Sequence, residues 1–222
     1  MINSKILIFL TASVLAFTAY ADEFHSDSVT VVDDYTIKGS VNFFSGIETG
    51  DADGNINVVI EIPKGTKGKW EVNSDDGTII WEFKNGKPRT VEYMNGYPAN
   101  YGSVPRTAMP AEFGGDGESL DVVVVGDQIA RGEIVQVKVI GILNLREGED
   151  EFDGKIIAVR IGSAQESVSS FEELNAKFNN EGDTIASWFS SYKGPGEIVI
   201  EGIGSPEEAM EIVNASASAF SD

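Results

Sequence analysis

Hydrophobic residues in this chain fall into short runs rather than long periodic stretches. Val29–Val32, Ile56–Ile62, Lys69–Val72, Thr78–Phe83, Leu120–Val125, Ile134–Leu145 and Lys155–Ile161 are rich in Val and Ile, and turns such as Asp75-Asp76-Gly77 and Asn85-Gly86 separate them. β-Branched runs bounded by turn residues predict strands, here of a closed or strongly bent sheet. Helical spacing is confined to the end of the chain. Ser170 is placed to cap a helix over Phe171–Asn179, and Asp183 to cap one over Thr184–Tyr192 with Ile185, Trp188 and Phe189 on one face. A third helix is expected from Ser205-Pro206-Glu207 through Phe220, with Ser205 as its cap and Pro206 at its first position. Strands followed by helices predict a mainly β, α+β arrangement. No repeat or linker divides it, so residues 22–40 read as an N-terminal extension and residues 41–222 as one domain.

The first 21 residues stand apart. A single charge, Lys5, precedes an apolar run from Ile6 to Ala16, and Ala19-Tyr20-Ala21 leads into the acidic Asp22-Glu23. This pattern predicts a signal peptide cleaved after Ala21 and a periplasmic or secreted mature protein. A membrane anchor is the other reading, but the run falls short of the ~20 apolar residues a spanning helix needs. Cleavage removes one of the 16 basic and none of the 36 acidic residues, shifting the net charge from −20 to −21. So acidic a surface argues against nucleic acid and anionic membranes as partners, because both require a positive footprint. It also makes the placement of the acids informative. Clustered carboxylates repel one another by about 4 kcal/mol per pair at 4 Å and an effective dielectric near 20, so a cluster calls for cations. There are no cysteines, and stability rests on the hydrophobic core.

Several residues break the apolar pattern. Glu61 interrupts Val58-Val59-Ile60-Glu61-Ile62-Pro63, where a charge is costly unless it meets a cation or hydrogen-bond donors; the alternative is an edge position facing water. Lys69 and Glu71 are two apart on the next strand and share one face. Arg89 is followed by Tyr97-Pro98-Ala99-Asn100-Tyr101-Gly102, and then by Asp116-Gly117-Glu118-Ser119-Leu120-Asp121 at the start of an apolar strand. Three carboxylates in six residues at that point suggest a hard-cation site. A further acidic stretch, Glu147 to Asp153, runs into Gly154-Lys155-Ile156-Ile157-Ala158-Val159, with Asp153 and Lys155 on one face. Tyr192-Lys193 is expected to close the second helix, where the helix dipole also favours a cation.

In this order and spacing, Val-Val-Ile-Glu-Ile-Pro, Lys-Trp-Glu-Val, Arg89 twelve residues before Tyr101 of Tyr-Pro-x-Asn-Tyr-Gly, the acidic cluster, Asp-x-Lys-Ile-Ile-Ala-Val and Tyr-Lys resemble the family I soluble inorganic pyrophosphatases over residues 41–215. The resemblance implies an OB-like five-stranded closed barrel with two or three helices packed outside. It implies pyrophosphate as substrate, several Mg²⁺ ions per site with Mn²⁺ as the alternative, and a homo-oligomer, commonly a hexamer. By the same correspondence Asp116, Asp121 and Asp153 match the ligands of the tightly held metal, and Asp121 reaches a second one. Glu61 and Glu147 face the metals that arrive with substrate, and Glu71 is a supporting acid. Lys69, Arg89, Tyr101, Lys155, Tyr192 and Lys193 match the groups that hold pyrophosphate and neutralise the leaving phosphate. Glu118 stands where the family has an Asp acting as base toward the attacking water. Glu147 likewise replaces an Asp, and the extra residue before Asp153 leaves Glu149 and Asp150 as alternative ligands. Residues 83–88 form an insertion ahead of Arg89.

The two Glu-for-Asp changes open a second reading, a binding protein that has kept metal and phosphate affinity without turnover, and the same cations would suit other small phosphoanhydrides. Retention of Lys69, Arg89, Lys155 and Lys193 favours the enzyme. No phosphate-binding loop of the G-x-x-x-x-G-K-[ST] type is present. His25 reads as a surface residue of the extension, and Trp70, Trp81 and Trp188 as core.

Overall fold

The computed structural model describes residues 24–221 apart from Gly114, Asp116, Glu149 and Asp150, so the expected signal peptide over residues 1–21 lies outside the described residues. Two short strands come first among the described residues, β1 (Thr30–Asp33) and β2 (Thr36–Lys38). Then come β3 (Ile56–Ile62), β4 (Trp70–Val72), β5 (Ile79–Trp81), β6 (Phe83–Lys84), β7 (Lys87–Pro88) and β8 (Asn100–Ser103). The strand series ends with β9 (Asp121–Val125), β10 (Ile134–Glu147), β11 (Glu151–Phe152), β12 (Lys155–Arg160) and, after two helices, β13 (Ile198–Gly204).

Five strands close on themselves. β3 pairs with β8, β8 with β9, β9 with β12, β12 with β10, and β10 returns to β3 through Ile134↔Val59 and its neighbours. This is the closed five-stranded barrel expected from the sequence. β10 is long enough, at 14 residues, to pair with β3 at one end and with β11 and β13 at the other. The pair β9–β12 is parallel and the rest of the ring antiparallel.

The strands are apolar on both faces because both faces are covered. Val59 and Ile62, Val123 and Val125, and Ile157 and Val159 face one cluster, which also holds Trp70, Phe171, Leu174, Ile185 and Trp188. The alternate residues Val58 and Ile60, Val122 and Val124, and Ile156 and Ala158 face another, closed by Ala209 and Val213. The helices supplying those lids are α1 (Phe171–Lys177), α2 (Glu181–Phe189) and α3 (Pro206–Ala219). All three tryptophans are buried, as the sequence suggested.

Ser170 caps α1 and Ser205 caps α3, the latter in a reciprocal capping box with Glu208. Asp183 does not cap α2. The helix starts two residues earlier, after a left-handed Asn180, and Asp183 sits in its first turn. Asn175 of α1 takes the capping role: its Oδ1 accepts from the Asp183 N–H and its Nδ2 donates to the Asp183 carboxylate. Since α2 ends at Phe189, Tyr192 and Lys193 lie in the following turn rather than closing the helix. The expected strand Thr78–Phe83 is split at Glu82, whose N–H is drawn away to the Lys69 carbonyl. β13 is an addition; its pattern is largely exposed and carries little of the alternation that marks a strand.

Residues 24–40 of the expected extension pack onto the rest of the domain. The β1–β2 hairpin adds to β5 in a four-stranded sheet ordered β1-β2-β5-β4, and Ile37 is fully buried. His25 is not a free surface residue: it pairs with Arg131 in a parallel bridge and meets the Trp70 ring edge-on at 5.9 Å.

Candidate active site

The topology gathers the chemistry at one end of the barrel. Because β9 and β12 run parallel, their first residues lie side by side, which brings Asp121 to Lys155 and Asp153. The Lys155 ammonium is buried and bridges the two carboxylates, donating to Asp121 Oδ2 and to Asp153 Oδ1. Burial works against that positive charge, but the two aspartates outweigh it and raise its pKa above the ordinary lysine value. Conversely, burial pushes the Asp121 carboxyl up, and Lys155, Lys69 and a hydrogen bond from Tyr101 together bring it below the usual range.

Across the antiparallel β8–β9 pair, Ser103 faces Asp121 and Tyr101 faces Val123, so Tyr101 and Ser103 share one face of β8. Ser103 donates to Glu61 Oε1 at 2.8 Å, and the Val72 N–H donates to the same oxygen at 2.9 Å. Glu61 is thus neither an edge residue nor a surface one. Burial raises its pKa to about 7 against the opposing charge of Lys69. Its strand carries an irregularity at this point: Ile60 pairs with Gly102 and Ile62 with Tyr101, leaving Glu61 as the extra residue of a β-bulge. Bulges re-aim side chains beside functional sites.

Lys69 and Glu71 share one face as expected and form an ion pair at 2.6 Å, with the Lys69 ammonium 5.0 Å from the Tyr101 ring centre. Lys155 lies 5.7 Å from the same ring centre. Burial, followed by the charges of Asp121 and Asp153, holds the Tyr101 hydroxyl well above its usual pKa, so it stays a proton donor. Arg89 donates through one nitrogen to both oxygens of Glu82, at 2.9 and 2.7 Å. Tyr97 lies between these groups, buried against Tyr101 at 5.8 Å and Trp188 at 4.9 Å, with its pKa raised to about 12 by burial. Tyr192 stacks flat on Trp188, 4.7 Å between ring centres.

Glu147 and Lys193 form an ion pair at the rim. Glu147 lies two residues along β10 from Leu145, whose carbonyl accepts the Asp153 N–H, which puts the pair one step outward from Asp153. Asp116 and the alternative ligands Glu149 and Asp150 lie outside the described residues.

A cavity of about 160 Å³ opens between these elements, lined by Glu61, Glu71, Glu118, Asp121, Ser103 and Ser119 among others. Four carboxylates therefore border one space. Among the described residues no three of them converge tightly enough to form a metal-holding group. Their donors are all oxygen, with no His or Cys beside them, a set that suits hard divalent cations. Lys155 meanwhile neutralises the Asp121–Asp153 pair. The sequence-derived set Glu61, Lys69, Glu71, Tyr101, Glu118, Asp121, Asp153 and Lys155 is brought together, with Arg89 and Tyr192 near Tyr97 and with Lys193, paired to Glu147, next to the Tyr192 ring.

Three contributors were missed by the sequence reading. Ser103 could have been found two residues beyond Tyr101 on the same strand face, whereas Tyr97 and Glu82 gave no signal beyond proximity to Tyr101 and Arg89.

Comparison with known proteins bears on this arrangement. Residues 58–221 match the family model described as inorganic pyrophosphatase. An inorganic pyrophosphatase of Sulfolobus acidocaldarius is 35% identical over 158 residues, covering 69% of this chain and 84% of that protein. One from Helicobacter pylori is 30% identical over 174 residues, covering 77% of this chain and 93% of its own length. The solved structure of the inorganic pyrophosphatase from Schistosoma japonicum superposes with a TM-score of 0.73 at 26% identity, over 80% of this chain and 70% of that one.

Proposed function

The chain belongs to the inorganic pyrophosphatase family, and we propose that it hydrolyses inorganic pyrophosphate to two phosphates in the cavity bordered by Glu61, Glu118 and Asp121. The observation that carries this reading is the juxtaposition of two opposite sets of groups: buried or half-buried Lys69, Arg89 and Lys155, and the carboxylates of Glu61, Glu71, Glu118 and Asp121 that border the cavity, two of which pair with Lys69 and Lys155. A polyanion needs the first set, and the cations that accompany it need the second.

The residues divide the work. Lys69, Arg89, Tyr101, Lys155, Tyr192 and Lys193 hold the phosphoryl oxygens and offset the charge that develops on the leaving phosphate, which is the larger part of catalysis for phosphoryl transfer. Lys69, Arg89, Lys155 and Lys193 are ion-paired with Glu71, with Glu82, with Asp121 and Asp153, and with Glu147 respectively, which keeps each one aimed. The Tyr101 hydroxyl donates a hydrogen bond to a phosphoryl oxygen and keeps its proton, and Glu118 accepts a proton from the attacking water. Asp121 and Asp153, with Asp116 by resemblance, would hold the tightly bound Mg²⁺, and Glu61 and Glu147 would meet the ions that enter with pyrophosphate. Magnesium, when bound, polarises phosphoryl oxygens and lowers the pKa of water. Purified mature chain is expected to release phosphate from pyrophosphate with Mg²⁺ and to lose the activity on chelation. Release unaffected by chelator would contradict the assignment.

The pattern Lys5, Ile6–Ala16 and Ala19-Tyr20-Ala21 supports export, with a mature protein beginning at Asp22 in the periplasm or outside the cell. N-terminal sequencing from the native host is expected to return Asp22 first, and an intact Met1 on the major species would refute export. A homo-oligomer is supported by the resemblance to bacterial members of the family.

A further inference from the structure

Arg131 belongs to none of the motifs that define the site, yet its side chain is fully buried, among the largest in the interior. A guanidinium removed from water is costly unless its donors are met. Its Nε donates to the Glu61 backbone carbonyl at 2.7 Å, and its plane lies over the Trp70 ring, 4.3 Å from the centre. Its NH1 is 3.5 Å from His25 Nδ1. The main chain around it is tied down as well: the Arg131 N–H donates to the Phe24 carbonyl at 2.9 Å, and the Ser26 N–H to the Arg131 carbonyl at 2.8 Å. Phe24 to Ser26 precede the residues shared with the family.

The two groups that Arg131 grips sit on strands that also line the cavity, one through the Glu61 side chain itself and the other through Glu71, next to Trp70. Trp70 lies between Lys69 and Glu71, whose side chains leave the strand on the other face and form the ion pair beside Tyr101. Glu61 is the extra residue of the bulge, so its carbonyl stands between two regular ladder pairs, and that carbonyl is the one Arg131 takes. On the cavity side, the Glu61 carboxylate is held to Val72 and Ser103.

We propose that Arg131 is a positioning residue: from behind the sheet it locks the β-bulge that turns the Glu61 carboxylate into the cavity, and the segment Phe24–Ser26 holds Arg131 in place. The proposal rests on the reading of this cavity as the pyrophosphate site. It does not make Arg131 a catalytic residue, since the side chain touches the backbone of Glu61 and not the cavity. A buried arginine that served the fold alone would cost stability when lost and leave the site's affinities unchanged.

The test is a double-mutant cycle with Glu61. Arg131→Met keeps the length of the stem and removes the donors. With the bulge unlocked, kcat/KM for pyrophosphate at saturating Mg²⁺ is expected to fall about 30-fold, somewhat less than the roughly hundredfold expected for a 1 Å misplacement. The Mg²⁺ dissociation constant, measured by calorimetry in the presence of a non-hydrolysable pyrophosphate analogue because Glu61 is assigned to the ions that enter with substrate, is expected to rise about tenfold, as for the loss of other groups that orient a metal ligand. In a Glu61→Gln background the same substitution is expected to cost less than about threefold more, because residues that act through one another are not additive. Equal losses in both backgrounds would overturn the proposal, as would a lower melting temperature with unchanged kcat/KM and Mg²⁺ affinity well below the melt. If Arg131→Met does not fold, Arg131→Gln, with a neutral amide in place of the charge, enters the same cycle. A wild type that fails to hydrolyse pyrophosphate refutes the substrate assignment, whereas the Mg²⁺ titration reads the lock without turnover.

Discussion

Asp121→Ala is expected to lower the rate of pyrophosphate hydrolysis by a factor on the order of 10³ or more, equivalent to at least about 4 kcal/mol of transition-state stabilisation. Asp121 ties together both kinds of group that the site uses, the cationic and the hydroxyl. Its carboxylate accepts from Lys155, accepts from the Tyr101 hydroxyl and borders the same cavity as Glu61. Removing it releases the Lys155 ammonium, withdraws the acceptor that orients Tyr101 and deletes a ligand that the family correspondence gives to two metals. Raising the Mg²⁺ concentration should therefore not restore the rate. Asp127, whose side chain is exposed beyond the end of β9, provides the control, and Asp127→Ala should hydrolyse pyrophosphate within twofold of the wild type, as surface changes usually do. Steady-state kinetics across a range of Mg²⁺ would show it, and undiminished turnover in Asp121→Ala would remove this residue from the centre of the mechanism.

The second large effect concerns Glu118. It lines the same cavity as Asp121 and Glu61, and its backbone carbonyl accepts from the Met109 N–H, which fixes the loop ahead of β9. Glu118→Gln keeps the size of the side chain and removes its capacity to take a proton, so kcat is expected to fall by a factor on the order of 10² with a much smaller change in KM, within the range for a general base. Glu118→Asp distinguishes two further possibilities. If the backbone here is set for the longer arm, the aspartate is impaired because it no longer reaches the water. If the chain were a decayed binder, the wild type would be nearly inactive and the aspartate would raise its activity. Full activity in Glu118→Gln would show that another group takes the proton.

The legible parts of this molecule were those where local chemistry and tertiary structure agree. Val58–Ile62, Val122–Val125 and Ile156–Val159 are continuous apolar runs because both faces of the barrel are covered, and a strand buried on two sides announces itself without a partner. Glu61, Lys155 and Asp121 were legible for the converse reason, as charges set in or against such runs. What stayed hidden depends on partners far along the chain. Asp183 looked like a cap because nothing nearby showed that Asn175 of the preceding helix would supply the hydrogen bonds. Arg131 lies in an unremarkable Ala130-Arg131-Gly132 turn, and its significance comes from His25, 106 positions away, and from Glu61, 70 positions away. The placement of the β1–β2 hairpin, through β2, against β5 was hidden in the same manner, since β1 is exposed throughout and only Ile37 of β2 is buried.

The bond from Arg131 to position 61 is made to a main-chain oxygen, which every amino acid possesses. The bulge is therefore held by the same contact whatever side chain stands there, and a change of residue alters what is presented to the cavity without altering the path of the strand. Position 61 can vary in chemistry while its direction is inherited from the backbone. A strand supported in this manner separates the evolution of a ligand from the evolution of the scaffold that points it.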